Sequence, residues 1–492
     1  MTGSGFWNSI TSQLLGAFAS SFAIAVAIIG ILLATKLAPR IAIDIPNSRS
    51  LHKRAIPRIG GWGIFPAVIA TAFLFKVANW PLLLSAAILF FVSYLDDRRS
   101  LPVPARLIAQ IVASVVWLAS FPVPLPLLIA CIAAIIIVWW INLFNFMDGA
   151  NGLAGGTSLI GFFVYAVIAT SHNMAPLALW SIILAGASGG FLLFNFHPAR
   201  VFLGDAGSVP LGFFIGALGV WGWSDGAWPV WFPFMVFAPF FLDATITLIR
   251  RVMRGEQFWQ AHAEHYYQRL VRMGWSHRRV TLVGYAITAL SAYLGVAMLR
   301  LSTQAQYAGL FITCSVFLAF AIVVDNYWVA FNGKRTNLST RRMPRLSLRL
   351  AIPSLLIVLA SAAAGVILQD KSSYPYLVVT LPSNIRIAYL HQGRASRMQC
   401  TADIIKFIAS IESSCKECVI VEKQCLDELQ PRQLQYLTAF NLNEPSVRFA
   451  DGVAVFQSLD PRRALEACME AARKASRAFG EKLLECRLPE SA

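Results

Sequence analysis

The sequence predicts an all-α polytopic membrane protein of about 11–12 transmembrane helices, followed by a small C-terminal α/β soluble domain. Of the 492 residues, 57% are hydrophobic and only 13% are charged. Apolar runs of about 20 residues, each long enough to cross a bilayer, recur along most of the chain. Acidic residues are scarce in this apolar part: ten lie before residue 370 and 15 from there onward.

Twelve segments qualify as candidate membrane spans by their apolar length. They are Leu15–Leu37, Gly61–Val77, Pro81–Leu95, Ala105–Ala119, Leu125–Phe146, Thr157–Thr170, Ala175–Phe194, Val209–Trp223, Pro229–Ile249, Val280–Leu299, Tyr307–Ala330 and Ala351–Leu368. No basic segment precedes the first apolar run and no clear cleavage site follows it, so we interpret that run as the first span and not as a removed signal.

Lysine and arginine are concentrated in alternate loops. Loop 39–59 and the loops after the third, ninth and eleventh spans are basic, whereas the short loops near residues 79, 122, 172 and 225 hold no lysine or arginine. Basic loops stay in the cytoplasm, so the N-terminus is expected on the outer side. The same rule accounts for most of the net charge of +16 and makes nucleic acid an unlikely partner.

Towards the C-terminus the apolar spans end and the sequence becomes typical of a soluble domain. We expect a multi-helix membrane core at 1–335, a basic loop with an additional span at 336–369, and a small α/β soluble domain at 370–492. The predicted strands are Val378–Thr380, Ile385–Tyr389, Cys418–Glu422 and Val453–Gln457, and the predicted helices are Ala402–Ile411 and Pro461–Glu485. By the span count this domain lies outside the membrane, in a periplasm.

Six of the eight cysteines lie in this C-terminal domain. An even number on an oxidising side predicts disulfides. Cys468 and Cys486 lie on one predicted helix, about 27 Å apart at 1.5 Å per residue, so they are expected to pair elsewhere and not with each other. In the alternative interpretation, the tail is cytoplasmic and Cys415 and Cys418 form half of a zinc site.

Most of the scarce acids fall at span ends on or beside the cytoplasmic side. They are Asp44, Asp96, Asp97, Asp148, Asp205, Asp243, Glu256 and Glu264. The adjacent Asp96 and Asp97 end the third span, where paired carboxylates can hold Mg²⁺ or share a proton. Asp205 lies between glycines at the start of the eighth span, where a helix N-terminus suits a phosphate.

A polar stripe ends the fifth span, within Asn142–Gly156. Asn142, Asn145, Asp148 and Asn151 are spaced three apart, so on a helix they share one face. Polar groups are costly in lipid and are usually kept for a function. The glycines that follow allow the backbone to turn and to approach a ligand closely.

The loop after the ninth span holds His262 and His265, with Arg269 four residues later. A zinc hydrolase would need more histidine and cysteine, and two histidines three apart are a weak signal by themselves. Carboxylates, helix N-termini, arginines and neutral amides instead indicate Mg²⁺ together with phosphates, as in sites for nucleotide diphosphates. Mn²⁺ is the alternative metal.

Together these motifs resemble the polyprenyl-phosphate N-acetylhexosamine-1-phosphate transferase family, whose members start peptidoglycan lipid I, teichoic acid linkage units and O-antigen chains. The resemblance covers about Leu15 to Ala330. It rests on Asp96-Asp97 with Leu101-Pro102, Asn145-Phe146-Met147-Asp148-Gly149, Phe202 to Ser208, the histidines, and Asn47, Ser48, Arg49, His52, Pro57, Arg58, Gly60 and Gly61. The spacing of His262 and His265, with Tyr267-Gln268 after them, is most similar to the O-antigen-initiating bacterial branch.

The resemblance implies a reaction at the cytoplasmic face of a bacterial inner membrane. A UDP-N-acetylhexosamine meets undecaprenyl phosphate, and the products are UMP and undecaprenyl-pyrophosphate-sugar, the first intermediate of an O-antigen, lipopolysaccharide or other cell-envelope polysaccharide. Asp96, Asp97 and Asp205 are implied to be catalytic and metal-binding, with Asp205 the first choice for Mg²⁺. The implied substrate-binding residues are Arg49, His52, Arg58, Asn145, Asp148, Asn151, His262, His265 and Arg269.

This chain departs from the family pattern at Asn151, where many members carry an aspartate. Because an amide is no base and a poorer magnesium ligand, catalysis is not expected there. The UDP-sugar, a one-step or covalent mechanism, and a homodimeric state are left open. A transporter or flippase for a lipid-linked phosphate is the alternative function, although the chain lacks the internal repeats and mid-membrane acids expected of one.

Overall fold

The computed structural model describes residues 3–45, 55–121, 125–257 and 262–335, and parts of the C-terminal region. Those parts are residues 374–391, 417–426, 445–448, 452–458 and 462–470, with the single residues 400, 404, 408, 411 and 486. The chain divides into two compact units. The membrane unit comprises Ser9–Trp223 and Ala227–Val366, and the C-terminal unit comprises Ile367–Ala492 with Met1–Asn8 and Ser224–Gly226.

The described part of the first 335 residues is almost entirely helical. Its helices are α1 (Gly3–Ala34), α2 (Ala38–Ile41), α3 (Gly60–Leu74), α4 (Trp80–Arg99), α5 (Val103–Leu118), α6 (Leu127–Met147), α7 (Leu153–Ser171), α8 (Ala175–Asn195), α9 (Asp205–Ser224), α10 (Phe232–Val236), α11 (Ala238–Met253), α12 (Tyr266–Arg272), α13 (His277–Met298) and α14 (Thr303–Arg335). Two short strands, β1 (Ile43–Asp44) and β2 (Ile56–Pro57), pair antiparallel between α2 and α3.

Eight of the described helices are long and apolar enough to cross a membrane, which confirms the predicted polytopic fold. They are α1, α4, α6, α7, α8, α9, α13 and α14, and α3 and α5 are shorter apolar helices. Each of the first eleven predicted spans overlaps a helix of the structure. The twelfth, Ala351–Leu368, lies outside the described residues.

The ninth predicted span, Pro229–Ile249, is not one continuous helix. It is divided into α10 and α11, with the break at Phe237. Pro233 and Pro239 each occupy the first turn of one of these helices. Proline is tolerated there because the first turn needs no N–H donor, whereas inside a helix it would clash with the preceding turn. The break therefore follows from the spacing of the two prolines.

The start of α3 packs directly on the segment that leads into α9. The backbone N–H groups of Gly60 and Gly61 donate to the carbonyls of Phe202 and Leu203 at 2.9 and 3.0 Å. A Cβ atom on Gly61 would lie only 2.5 Å from the backbone nitrogen of Gly207. Glycine is thus required for this approach, which brings the residues before α3 to the N-terminus of α9.

Two amides pair inside the bundle between α5 and α6. Asn142 donates to the side-chain oxygen of Gln110 at 2.7 Å, and Gln110 donates back at 3.4 Å. Such interhelical hydrogen bonds between polar side chains help to associate helices in a membrane. Asn142 therefore has a packing role, although it belongs to the polar stripe that the sequence analysis assigned to ligand binding.

The C-terminal unit contains a five-stranded antiparallel sheet in the order β5-β3-β4-β7-β6. The strands are β3 (Tyr374–Thr380), β4 (Arg386–His391), β5 (Val419–Leu426), β6 (Ser446–Arg448) and β7 (Gly452–Gln457). In β7, Val453 and Val455 face one apolar cluster and Ala454 and Phe456 face another. Both faces of the strand are therefore buried, which explains its unbroken apolar sequence.

The four predicted strands correspond to β3, β4, β5 and β7, and β6 was not predicted. Residues 462–470 are helical, as are the described residues 404, 408 and 411 of the other predicted helix. A disulfide joins Cys400 to Cys425. Cys418 is also disulfide-bonded, which argues against the zinc alternative for that residue.

The prediction that Cys468 and Cys486 cannot pair is wrong. They form a disulfide, and their Cα atoms are 5.7 Å apart. On one uninterrupted helix they would be separated by about 27 Å. The error lay in placing both cysteines on a single helix from 461 to 485, because the observed Cα separation is incompatible with that placement.

Candidate functional site

Asp97, near the end of α4, caps the N-terminus of α9. Its carboxylate accepts a hydrogen bond from the backbone N–H of Ala206 at 3.0 Å and another from that of Asp205. The side chain is only 1% exposed. A carboxylate at this position satisfies first-turn donors and complements the helix dipole. The sequence predicts a phosphate here, but in the structure Asp97 itself occupies these two amides.

Asp205 is the first residue of α9 and lies at the centre of the predicted catalytic group. One carboxylate oxygen accepts from the side-chain amide of Asn145 at 3.0 Å. That amide also contacts the Ser208 hydroxyl at 2.9 Å. The Asp205 carboxyl is in hydrogen-bonding contact with Asp96. The ends of α4 and α6 and the start of α9 are therefore joined at one point, as the sequence predicts.

Asp96 is held mainly by the turn that follows α4. Its two oxygens accept from the backbone N–H of Leu101 at 2.5 Å and from Arg106 at 3.0 Å. The conformation of Ser100, which has a φ of 48°, allows this turn to close. Asp96 thus fixes the connection between α4 and α5 as well as touching Asp205.

Arg58 bridges two carboxylates from different parts of the chain. It donates to Asp44 at 2.7 Å and to Asp97 at 3.3 Å. The pairing of β1 with β2 places Asp44 beside it. A parallel bridge between Arg58 and Phe202 holds it near α9. Asp44 was not among the predicted site residues, and its separation from Asp97 in sequence offered no signal.

Asp148 follows the last residue of α6, is half-buried, and lies near the charges of Asp205, Asp97 and Arg58. Burial, together with the nearby charges of Asp205 and Asp97, raises the pKa of Asp148 well above its ordinary value, and Arg58 opposes this shift. A carboxyl with a strongly perturbed pKa in a polar cluster is a candidate functional group. This placement agrees with the predicted substrate-binding role of Asp148.

We call Asp44, Asp96, Asp97, Asp148 and Asp205 the carboxylate cluster. Among the described residues its partners Arg58 and Arg106 supply two positive charges against five carboxyls. The contact between the carboxyls of Asp96 and Asp205 is repulsive unless a proton or a cation is shared. The cluster is therefore suited to attract a cation.

The donor set fits Mg²⁺ only in part. No group of three or more histidine, cysteine, aspartate or glutamate side chains within the described ranges has the arrangement of a metal cage. Both oxygens of Asp96 and of Asp97 already accept hydrogen bonds. Mg²⁺ is commonly bound by one or two carboxylates plus substrate phosphates and water. That arrangement fits Asp205, with Asp96 in contact, better than it fits all three predicted ligands.

The predicted polar stripe does not face a single site. Asn145 and Asp148 belong to the carboxylate cluster, whereas Asn142 pairs with α5. The Asn151 side-chain amide lies 3.1 Å from the His197 ring nitrogen. The backbone carbonyl of Asn151 accepts a hydrogen bond from the Thr281 hydroxyl at 2.7 Å. α6 ends at Met147, so the spacing of three no longer aligns the residues after it.

Asp243 of α11 anchors the histidine loop, defined here as residues 262–265. Its carboxylate accepts from the backbone N–H groups of Tyr266 and Tyr267 at 2.9 and 3.1 Å and lies 3.3 Å from the His265 ring. It thereby caps α12 from a different helix. The only signal in the sequence was a carboxylate at the end of an apolar run.

The histidine loop lies against the end of α6, next to the carboxylate cluster. Tyr267 donates from its hydroxyl to the carbonyl of Phe146 at 3.3 Å, and the His265 ring stacks on the Phe146 ring. His265 is buried, and the His262 ring lies 4.8 Å from it. The structure thus brings both predicted histidines to one side of Asp148.

The last predicted residue of this loop region, Arg269, is buried in an ion-pair network. It donates to Asp325 of α14 at 2.8 Å and lies 3.6 Å from Glu264. Its predicted role as a substrate ligand stays a prediction, because the contacts described here are to protein groups. Arg49 and His52 lie outside the described residues.

The pKa of His262 predicts a pH dependence of stability. Burial, with positive charge from His265 and Arg251, lowers this pKa from 6.5 to about 4, although Glu264 and Glu256 oppose the shift. The unfolded chain therefore takes up a proton that the folded chain does not, so stability falls as the pH drops from 6.5 to about 4. We expect His262→Gln to flatten this fall in thermal unfolding measurements over the same pH range.

The matched control for that experiment is His172→Gln, at an exposed histidine that ends α7. It should leave the pH profile of the parent protein unchanged. Parallel profiles for the parent and His262→Gln would contradict the prediction.

Comparisons with known proteins place the similarity mainly in the helical part of the chain. The sequence model described as glycosyl transferase family 4 matches residues 79–222. This segment contains every carboxylate of the cluster except Asp44. The chain is 28% identical over 324 residues to the probable undecaprenyl-phosphate N-acetylglucosaminyl 1-phosphate transferase of Bacillus subtilis (strain 168), which covers 61% of this chain and 90% of the relative.

Two further relatives extend this similarity. Undecaprenyl-phosphate alpha-N-acetylglucosaminyl 1-phosphate transferase of Yersinia pestis is 27% identical over 347 residues, covering 64% of this chain and 92% of the relative. Decaprenyl-phosphate N-acetylglucosaminephosphotransferase of Mycobacterium leprae is 27% identical over 301 residues, covering 51% of this chain and 75% of the relative. Each alignment leaves more than a third of this chain unmatched. The matched family model and these relatives together support the assignment of the chain to the polyprenyl-phosphate N-acetylhexosamine-1-phosphate transferases.

Proposed function

We propose that this protein transfers N-acetylhexosamine-1-phosphate from a UDP-sugar to undecaprenyl phosphate, releasing UMP. An oxygen of the lipid phosphate attacks the sugar-bearing phosphorus of the donor. The bond between that phosphorus and the bridging oxygen of UMP breaks, and UMP leaves with the oxygen. The product is undecaprenyl-pyrophosphate-sugar. The similar proteins of Bacillus subtilis and Yersinia pestis are named as undecaprenyl-phosphate N-acetylglucosaminyl 1-phosphate transferases, which supports this reaction class.

The observation that carries the proposal is the joining of three helix ends at Asp205. Asn145 from α6 donates to this carboxylate, Asp96 from α4 touches it, and Asp97 caps its helix. A reaction between two phosphates needs preorganised groups that offset their repulsion. A carboxylate cluster can do so only by holding a cation between itself and the phosphates, because by itself it repels them.

Mg²⁺ is the cation we assign to this site, held by Asp205 with Asp96 beside it. When bound, it would neutralise charge on the donor diphosphate and act as a Lewis acid. Asp97 and Asn145 orient Asp205 through their hydrogen bonds to its backbone and side chain. Mn²⁺, with similar ligand preferences, is the expected substitute.

The donor-binding surface would combine two walls on either side of the end of α6. Asp148 and Asn145, at the end of α6, form one of these walls, and His262 and His265, in the loop that packs against Phe146, form the other. Arg58, whose side chain is 34% exposed, is proposed to contact an incoming phosphate. Arg49, His52, Asn151 and Arg269 complete the proposed substrate-binding set.

The site is proposed to face the cytoplasm, because the basic loops of the sequence lie on the same side as the carboxylate cluster. The membrane is then a bacterial inner membrane, with the N-terminus and the C-terminal domain in the periplasm. The product would begin an O-antigen or another cell-envelope polysaccharide.

The proposal is tested with purified full-length protein, undecaprenyl phosphate, Mg²⁺ and a panel of UDP-sugars. We expect UMP release with at least one UDP-N-acetylhexosamine and none when the lipid phosphate or the metal is omitted. The panel should include UDP-N-acetylglucosamine and 6-deoxy N-acetylated sugars. An absence of turnover with every donor would overturn the transferase assignment and leave a carrier of lipid-linked phosphate as the next hypothesis to test.

A further inference from the structure

Asp325 lies within α14 and belongs to none of the motifs discussed so far. Its carboxylate accepts from Arg269 at 2.8 Å and from the Tyr266 hydroxyl at 3.3 Å, and it also forms an ion pair with Arg250. These partners come from α11 and α12. One acid of a membrane-spanning helix therefore connects to both elements that carry the histidine loop.

Asp325 is the main counter-ion of two buried arginines. The Arg269 side chain is 5% exposed, and the side chains of Arg250 and Asp325 are each 13% exposed. A buried cation that loses its partner is strongly destabilised. Arg269 has a second carboxylate, Glu264, at a longer distance of 3.6 Å. Its guanidinium also lies over the Trp328 ring of α14 at 5.8 Å.

Helix α12 is thus fixed at two points by carboxylates from other helices. Asp243 caps its first turn, and Asp325 pairs with Arg269 further along it. Between these points, Tyr267 reaches the carbonyl of Phe146, close to Asp148. The position of the histidine loop against the end of α6 therefore depends on where α14 lies. An apolar cluster that includes Tyr266, Ala321 and Val324 strengthens this docking.

We infer that Asp325 is a positioning residue that holds the histidine loop against the end of α6, so that binding of the UDP-sugar depends on it. The donor-binding role of the loop rests on the proposed function. The positional role of Asp325 rests on the ion pairs alone. The reacting lipid phosphate is assigned to no group on α12, so its binding should be affected far less.

The kinetic test compares Asp325→Asn, Asp325→Glu and the control Asp225→Asn in the full-length protein. Asparagine keeps the size of the side chain and removes the charge that both arginines need. We expect the KM for the UDP-sugar to rise about tenfold or more and the KM for undecaprenyl phosphate to stay within about twofold. Asp325→Glu should give an intermediate KM, and Asp225→Asn, at an exposed acid, should match the parent.

The second test reads the position of the loop without activity. Ala263 is 7% exposed, so a cysteine placed there should react slowly with a maleimide. In Ala263→Cys combined with Asp325→Asn, the labelling rate, read on the peptide that carries position 263, should rise about tenfold because the loop opens locally. If the parent protein shows no turnover, that result counts against the proposed function. The labelling rate does not depend on turnover, so it still decides whether Asp325 positions the loop.

Two outcomes would overturn the inference. One is an unchanged labelling rate together with an unchanged KM for the UDP-sugar. The other is a lower kcat with both KM values and the labelling rate unchanged, since that describes a general loss of active protein. If Asp325→Asn does not fold, Asp325→Glu decides by the same two readouts: a KM increase confined to the UDP-sugar supports the inference, and parental values reject it.

Discussion

Asp205→Asn is expected to lower the kcat for UMP release by about 10³-fold, which corresponds to roughly 4 kcal/mol of lost transition-state stabilisation. Asparagine has nearly the same size, and its side-chain oxygen can still accept the hydrogen bond from Asn145. The substitution therefore removes mainly the charge to which Mg²⁺ is assigned. A residual activity above a tenth of the parent kcat would contradict a central role for Asp205.

The same variant gives a readout that does not depend on turnover. A ligand that binds only the folded protein stabilises it by about 2.7 kcal/mol at 100 times its dissociation constant. Mg²⁺ should therefore raise the thermal unfolding temperature of the parent protein and should have little effect on Asp205→Asn. Asp225→Asn removes an exposed carboxylate and should retain both the activity and the Mg²⁺ response of the parent. Loss of the response in this control would indicate nonspecific binding.

The membrane fold was largely predictable because each span is a local property of the sequence. An apolar run of sufficient length predicts a helix without knowledge of its neighbours. The break at Phe237 and the bond between Cys468 and Cys486 were missed. The first depends on where two prolines fall within a run, and the second on a contact between residues 18 positions apart. Neither changes the hydrophobic period by which spans and helices are recognised.

Four members of the carboxylate cluster were predictable as a set, whereas Asp44 and the contacts within the cluster were not. The span count places four of these acids at span ends on the same side of the membrane, which predicts that they lie near one another. They are Asp96, Asp97, Asp148 and Asp205. Asp97 caps α9 through the backbone N–H of Ala206, which lies 109 residues later in the chain, and no sequence pattern links the two. The pairing of Arg250 with Asp325 across 75 residues is equally invisible in a sequence.

Arg58 and Asp97 are expected to show a thermodynamic coupling of about 1–3 kcal/mol in a double-mutant cycle. The Asp97 side chain is 1% exposed, and Arg58 is its charged partner at 3.3 Å. Asp97→Asn should lower the free energy of unfolding by about 3 kcal/mol, because it breaks a buried ion pair. Arg58→Met should cost less, about 2 kcal/mol, because a third of that side chain is exposed to solvent and screened.

The coupling is measured by unfolding four proteins under the same detergent conditions. They are the parent, each single variant, and the double variant that combines Arg58→Met with Asp97→Asn. If the pair interacts as the structure describes, the double variant is less destabilised than the sum of the single variants. Strict additivity would contradict the described ion pair. Asp96→Asn is the matched control. Asp96 is adjacent to Asp97 and pairs with Arg106, which is 39% exposed, so this substitution should lower the free energy of unfolding by about 1 kcal/mol or less.

The comparison of stability with activity then separates two roles for Asp97. If Asp97 acts by capping α9 and orienting Asp205, Asp97→Asn should lose stability and about 10²-fold in kcat together. If Asp97 instead exchanges a proton with the lipid phosphate, the loss of kcat should exceed the loss seen with Arg58→Met, although both variants break the same ion pair. The contacts of Asp97 favour the first role, because Ala206 and Arg58 already donate to the two carboxylate oxygens that a proton transfer would need.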